Sequence, residues 1–311
     1  MSASGSAILS SVRGVVPPLV TPLSAPDVLD REGLGRLVEH LIGGGVHALF
    51  LLGTTGEGPS LSHRLRREVV EETCRLVGGR LPVLVCVTDT VFEESVELAN
   101  HAADHGADAV VASTPYYFRT GQPELYDYYA ELAAALPVPL HLYNMPAMTK
   151  VVIQPETVER LMDVEGIIGI KDSSGDLDYF GKLVELGRKK EGWSVMMGPE
   201  ELTARAVAMG GQGGVNGGAN LFPALYVANY DAAARGDVEK SDELNAIVNE
   251  VAAELYSVGS HASSMLKGLK CALSLRGICG DVMAHPFEHF HEREREVIRG
   301  RMEELISKYG L

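Results

Sequence analysis

The sequence predicts an α/β architecture: a closed (β/α)8, or TIM, barrel followed by a C-terminal helical extension. Three observations predict it. Eight short apolar runs rich in β-branched residues alternate with longer amphipathic stretches, many joined by glycine-containing turns. The runs are near-continuously apolar, as parallel strands covered on both faces must be. Successive units lie roughly 30 residues apart, the length of a strand–helix–strand crossover. An open doubly wound sheet is the competing architecture, but it usually carries a dinucleotide turn after its first strand. Pro17-Pro18-Leu19-Val20-Thr21-Pro22 is nothing like one.

Taken in order, strands are expected at 15–20, 48–52, 83–87, 109–112, 140–143, 167–171, 194–197 and 213–216. Each is followed by a helical pattern, at 31–42, 64–77, 92–105, 123–135, 155–162, 179–186, 201–208 and 223–234. After about residue 238 the strand signals stop. Three further helices are expected at 242–256, 262–275 and 286–308, with 277–280 and Pro286 as breaks between the last two. They have no sheet of their own to cover, so they are expected to pack on the barrel or on another subunit. The expected organisation is a frayed end over 1–12, a barrel over 13–237 and a three-helix extension over 238–311.

Composition excludes several classes of protein. The 311 residues are 46% hydrophobic with a mean hydropathy of +0.05. Their longest apolar runs fall far short of a membrane span. The opening Met1-Ser-Ala-Ser-Gly-Ser-Ala7 has neither the charged flank nor the apolar stretch of a signal peptide. Cys74, Cys86, Cys271 and Cys279 are scattered without CxxC spacing and read as free thiols of a reducing, cytoplasmic compartment. The formal charge of −15 argues against nucleic acid, though an anionic metabolite needs only a locally positive pocket.

Lys171 ends the apolar run Gly166-Ile-Ile-Gly-Ile170 and precedes Asp172-Ser-Ser-Gly-Asp176. A lysine on a buried strand is costly unless its charge is paired or removed, and a deprotonated amine is a nucleophile. The bland alternative is a strand-end lysine whose head reaches water. Catalytic groups of such barrels project from the C-terminal ends of strands and the loops after them. Those ends carry Gly53-Thr54-Thr55-Gly56-Glu57-Gly58, Thr114-Pro115-Tyr116-Tyr117, Tyr143-Asn144-Met145-Pro146, Lys171, Gly198-Pro199-Glu200-Glu201 and Val215-Asn216-Gly217-Gly218.

This set, in this order, resembles the N-acetylneuraminate lyase and dihydrodipicolinate synthase superfamily of class I, Schiff-base aldolases. The combination of GTTGE, YNxP and GIKDSSGD carries the resemblance, which runs from about Val15 to Ala234. It implies that Lys171 attacks the keto carbon of a 2-oxo acid such as pyruvate, and that Tyr143 is the general acid/base. Thr54 would link Tyr143 to a second tyrosine, matching Tyr117, that reaches in from a neighbouring subunit; Tyr116 stands one residue away. Thr55 and the backbone of the loop opening at Gly53 would hold the substrate carboxylate, and Glu57 would order that loop. The carbonyl of Val215 would lie near the Schiff base, and the glycines of 210–218 would leave room for substrate. The rival reading of that stretch is a phosphate cradle. The resemblance also implies a homotetramer or dimer, and no cofactor or metal.

Two departures shape the expected substrate. Dihydrodipicolinate synthases usually carry an arginine five residues beyond the YNxP tyrosine, and that place is Met148 here, with Lys150 nearby. Gly198-Pro199-Glu200-Glu201 stands where sialic acid lyases place an acidic pair that accepts from sugar hydroxyls; glutamates at a helix start are the bland equivalent. The expectation is therefore a lyase or aldolase of pyruvate and an aldehyde, acting on a sugar acid or similar 2-oxo acid. Alternatives are a 2-oxo-acid dehydratase or hydratase, a true dihydrodipicolinate synthase, and a non-catalytic ligand-binding barrel. His285, His289 and His291 read as a solvated helix face. His141 is expected to point away from the reactive tyrosine.

Overall fold

The computed structural model describes residues 12–311. The expected frayed end over 1–12 therefore lies outside the described residues except for Val12. That residue is buried, and its carbonyl accepts from Ser194 Oγ at 2.7 Å.

Eight parallel strands curl into the barrel: β1 (Gly14–Val15), β4 (Leu49–Leu51), β5 (Val83–Cys86), β6 (Ala109–Ser113), β7 (Leu140–Asn144), β8 (Ile167–Asp172), β9 (Ser194–Met197) and β10 (Gly213–Gly214). Their order is β1-β10-β9-β8-β7-β6-β5-β4. The two ends of that series close on each other through His47 N–H to Val15 O (2.9 Å), Phe50 N–H to Pro17 O (3.0 Å) and Leu19 N–H to Phe50 O (2.8 Å). The first strand was expected over 15–20, yet its regular part is two residues long. Pro17 and Pro18 have no N–H to donate, so the ladder there is interrupted although the chain stays alongside β4.

A small antiparallel hairpin, β2 (Leu23–Ala25) and β3 (Val28–Leu29), precedes the first helix. The helices are α1 (Arg31–Gly43), α2 (His63–Val77), α3 (Phe92–Asp104), α4 (Gln122–Ala135), α5 (Pro146–Thr149), α6 (Pro155–Met162), α7 (Leu177–Gly187), α8 (Thr203–Met209), α9 (Pro223–Ala234), α10 (Val238–Tyr256), α11 (Ser264–Leu275) and α12 (Glu292–Tyr309). The hairpin and the one-turn α5 are too short to give a periodic signal, and the sequence reading has neither. Helix α10 starts four residues before its expected position because Asp237 caps it, accepting from Lys240 N–H at 3.2 Å. Helix α12 starts six residues after Pro286, with His291 at its N-cap, so His285, His289 and His291 precede the helix and do not form its face.

Strand residues alternate between two apolar masses. Leu49, Leu51, Val85, Val110, Leu142 and Ile170 face the helices. Val16, Phe50, Leu84, Val111, Tyr143 and Met196 fill the barrel interior. His141 joins the interior set, lining the same cavity as Lys171. The expectation that it points away is corrected: residues two apart on a strand share a face. Its ring rests against Gly169, whose missing side chain makes the space. Burial lowers its pKa to about 4, and its Nε2 has no hydrogen-bond partner among the described residues.

Candidate active site

Lys171 and Tyr143 are register partners on adjacent strands, near the C-terminal ends of β8 and β7. They are 7% and 4% exposed. The Lys171 Nζ stands 4.1 Å from the centre of the Tyr143 ring and 4.9 Å from that of Phe50. The two rings meet edge to face at 6.3 Å. Gly53 makes room for Phe50, since a Cβ there would lie 2.6 Å from the Phe50 ring. Lys171 makes no ion pair or hydrogen bond among the described residues, so its nitrogen is bounded by aromatic faces and apolar walls such as Val215 and Met196.

The loop after β4 begins at Gly53, beside the Phe50 ring. Leu52 and Glu57 adopt positive φ values of 59° and 56°, a costly conformation for non-glycine residues that neighbours must hold in place. Gly58 N–H donates to Gly53 O (3.2 Å) and Glu57 N–H to Thr54 O (3.1 Å). Thr21 Oγ1 donates to Gly56 O (2.7 Å). Glu57 itself turns away from the barrel mouth into the C-terminal helices, where Oε1 pairs with Lys270 Nζ at 2.5 Å and Oε2 accepts from Ala284 N–H at 2.8 Å. Lys270 completes the set by donating to Val282 O at 2.6 Å. Sequence reasoning gave Glu57 a loop-ordering part but missed Lys270, which stands 213 positions downstream with no local pattern to mark it.

The remaining candidates divide. Thr55 is buried and close to Gly217, where an added Cβ would lie 3.8 Å from its Oγ1. Thr54 is half-buried and has no side-chain hydrogen bond to Tyr143 within the chain. Tyr117 is 79% exposed, stacked edge to face on the equally exposed Phe118, and separate from the Lys171 pair within one chain. Tyr116 is less exposed, and burial raises its phenol pKa. Met148 lies exposed on α5, and the Lys150 ammonium folds back onto the Ala147 carbonyl.

Glu200 and Glu201 do not form a pair facing one site. Glu200 is buried; it accepts from Gly218 N–H (2.7 Å) and Tyr226 Oη (2.9 Å), and burial raises its pKa. Glu201 is exposed, and its carbonyl accepts from Asn245 Nδ2 at 3.1 Å. Gly198 is required by packing, since a Cβ there would lie 1.9 Å from Ser173 Oγ. The expectation that the 210–218 glycines leave room for substrate is corrected at two of them. Gly213 closes against the Gly14 backbone and Gly218 against the Tyr226 hydroxyl, so that space holds protein atoms.

With the site in view, the likeness to known proteins is specific. The sequence model of the Dihydrodipicolinate synthetase family matches residues 11–305. The chain belongs to that family. It is 32% identical over 297 residues to a 4-hydroxy-tetrahydrodipicolinate synthase of Methanopyrus kandleri, covering 94% of this chain and 96% of the relative. It is 33% identical over 256 residues to a probable 2-dehydro-3-deoxy-D-pentonate aldolase of Escherichia coli K12, covering 82% and 85%. Among solved structures it superposes on a dihydrodipicolinate synthase of Bacteroides thetaiotaomicron with a TM-score of 0.92 at 55% identity, covering 94% and 98%. Membership makes the chain a Schiff-base lyase of the aldolase type. No helix among the described residues is long and apolar enough to cross a membrane.

Proposed function

We propose that the chain joins or splits pyruvate, or a close 2-oxo acid, and an aldehyde through an imine on Lys171. The single observation that carries this reading is the Lys171 nitrogen buried 4.1 Å from the Tyr143 ring centre, with no carboxylate to occupy it. The amine attacks the C2 carbonyl, and loss of water leaves a protonated imine. That imine accepts the electron pair released when C3 loses a proton or when the C3–C4 bond breaks. Tyr143 moves the protons at the carbinolamine and aldol stages. Thr55 and the loop N–H groups hold the 2-oxo acid's carboxylate.

Tyr117 reaches the site of a neighbouring copy, through Thr54. Its support is the exposed Tyr117–Phe118 pair, an aromatic surface suited to an interface. Val215 lines the imine pocket, while Glu200 and Gly198 act through the packing of the loops around it. Met148 cannot pair with an acidic aldehyde. Cleavage of a 2-dehydro-3-deoxy sugar acid, the class in the Escherichia coli relative's name, releases pyruvate and an uncharged aldehyde. Such a product needs no guanidinium, and this favours a sugar acid over the acidic aldehyde for which a dihydrodipicolinate synthase keeps its arginine. Oligomerisation and an aqueous cytoplasmic setting accompany this reading.

The test is borohydride trapping. With pyruvate, intact mass rises by pyruvic acid less one oxygen atom, once per chain, and Lys171→Ala shows no adduct. A wild-type protein that gains nothing overturns the proposal. Aldehyde release from 2-dehydro-3-deoxy sugar acids then separates cleavage from dehydration, which yields none.

A further inference from the structure

The outer helical layer carries a second cluster with chemistry of its own. Glu71 on α2 and His101 on α3 meet His105 at the end of α3, and one ligand atom from each lies within 4.8 Å of the others. His101 and His105 are spaced four residues apart and so share a helix face. Their rings sit 4.2 Å apart. We infer that this trio is a divalent transition-metal site, of the zinc type, clipping α2 to α3 on the barrel exterior.

Two features make it more than an accidental cluster. Each histidine already directs one ring nitrogen at a backbone carbonyl: His101 Nε2 at Arg67 O (3.1 Å) and His105 Nδ1 at His101 O (2.7 Å). A carbonyl only accepts, so each of those nitrogens carries the proton. In the neutral ring the other nitrogen then keeps its lone pair for a metal. Orientation of a ligating histidine by a carbonyl behind it is the usual supporting arrangement in metal sites, and here one of the two carbonyls belongs to the facing helix. The second feature is Glu71. Arg67 and Arg75, each four residues from it on α2, are engaged elsewhere: Arg67 with Glu97 (3.1 Å) and Arg75 with Glu72 (2.6 Å). Glu71 has no ion pair or hydrogen bond among the described residues. Two imidazoles and a carboxylate suit Zn2+, and three protein ligands leave a fourth position for water. With Zn–N distances of about 2.05 Å, tetrahedral ligand atoms stand roughly 3.3 Å apart. Partly exposed side chains reach that spacing by rotation.

The experiment is titration calorimetry of the full-length protein with Zn2+, on wild type, Glu71→Gln and the double variant His101→Ala/His105→Ala. Far-ultraviolet circular dichroism checks that each is folded. One saturable site per chain is expected in wild type, weakened roughly 10- to 100-fold by Glu71→Gln and absent in the double variant. Zn2+ should raise the melting temperature of wild type and not of the double variant, and borohydride adduct formation should be equal in all three. No saturable binding in wild type overturns the inference. So does a site that survives the double substitution, which would place the metal elsewhere, as at His285, His289 and His291.

Discussion

Two lysines are buried among the described residues, and their surroundings are opposite. Lys270, 1% exposed, has Glu57 at 2.5 Å and the Val282 carbonyl at 2.6 Å. Lys171, 7% exposed, has two aromatic rings and no carboxylate. A buried ammonium held by a carboxylate and a carbonyl is a structural tie, since removing either charged partner strands the other charge. An amine at the barrel mouth with no counter-ion keeps its nitrogen accessible to a carbonyl. The difference shows that burial of a lysine does not by itself announce catalysis; what separates the two uses is the partner. The Glu57 tie also bears on the proposed site, because Glu57 belongs to the same short loop as Thr54 and Thr55, its N–H donating to Thr54 O.

That comparison can be broken by substitution. The largest effect expected is from Lys171→Ala, which should abolish the pyruvate adduct and turnover while leaving the melting temperature close to wild type. An adduct that persists would place the imine on another lysine. Tyr143→Phe should lower kcat by about 10²- to 10⁴-fold, the range for loss of a general acid/base, while the trapped adduct still forms, if slowly. Steady-state kinetics beside trapping would show this.

Lys270→Met should act in the other direction, costing about 3–5 kcal/mol of stability because Glu57 is left buried and unpaired. Urea unfolding reads it. Pairing it with Glu57→Gln should recover part of the loss, and a double variant no better than the single one would refute a charge-based tie. Glu200→Gln should be milder, since burial already raises the pKa of that carboxyl, and an amide can still accept from Gly218 N–H while donating its NH2 to the Tyr226 hydroxyl.

The smallest effect concerns pH. His141 is buried with its pKa lowered to about 4 from 6.5. Its contribution is fully present above about pH 6.5 and is lost as pH falls toward 4. A shift of that size corresponds to about 3 kcal/mol at most. The stability of His141→Leu should therefore fall less steeply between pH 6.5 and 4 than that of wild type, as measured by urea midpoints across that range. Parallel profiles would show that His141 does not titrate with unfolding.

Much of the candidate site was legible from strand ends. Lys171, Tyr143, Thr55 and Val215 each follow a run of apolar residues whose length and spacing place them at one end of the barrel. Glu200 also stood at a strand end, but its engagement with Tyr226 was not legible, because it depends on helix α9, 26 positions on. The His101–His105 spacing was present in the chain as a helical i, i+4 pair. What made it a candidate ligand set was Glu71, on a different helix. His141 was misread through a wrong parity along its own strand, which the alternation rule should have given correctly.

The sequence by itself determined the barrel and the meeting of lysine and tyrosine at its mouth. Periodicity and strand order are local properties, and parallel neighbours inherit their register from them. Only the tertiary structure decided which buried charges are paired, how the first strand closes past two prolines, and which glycines are filled by protein. Each of these depends on atoms brought together from distant parts of the chain, where burial sets the cost and a particular partner removes it.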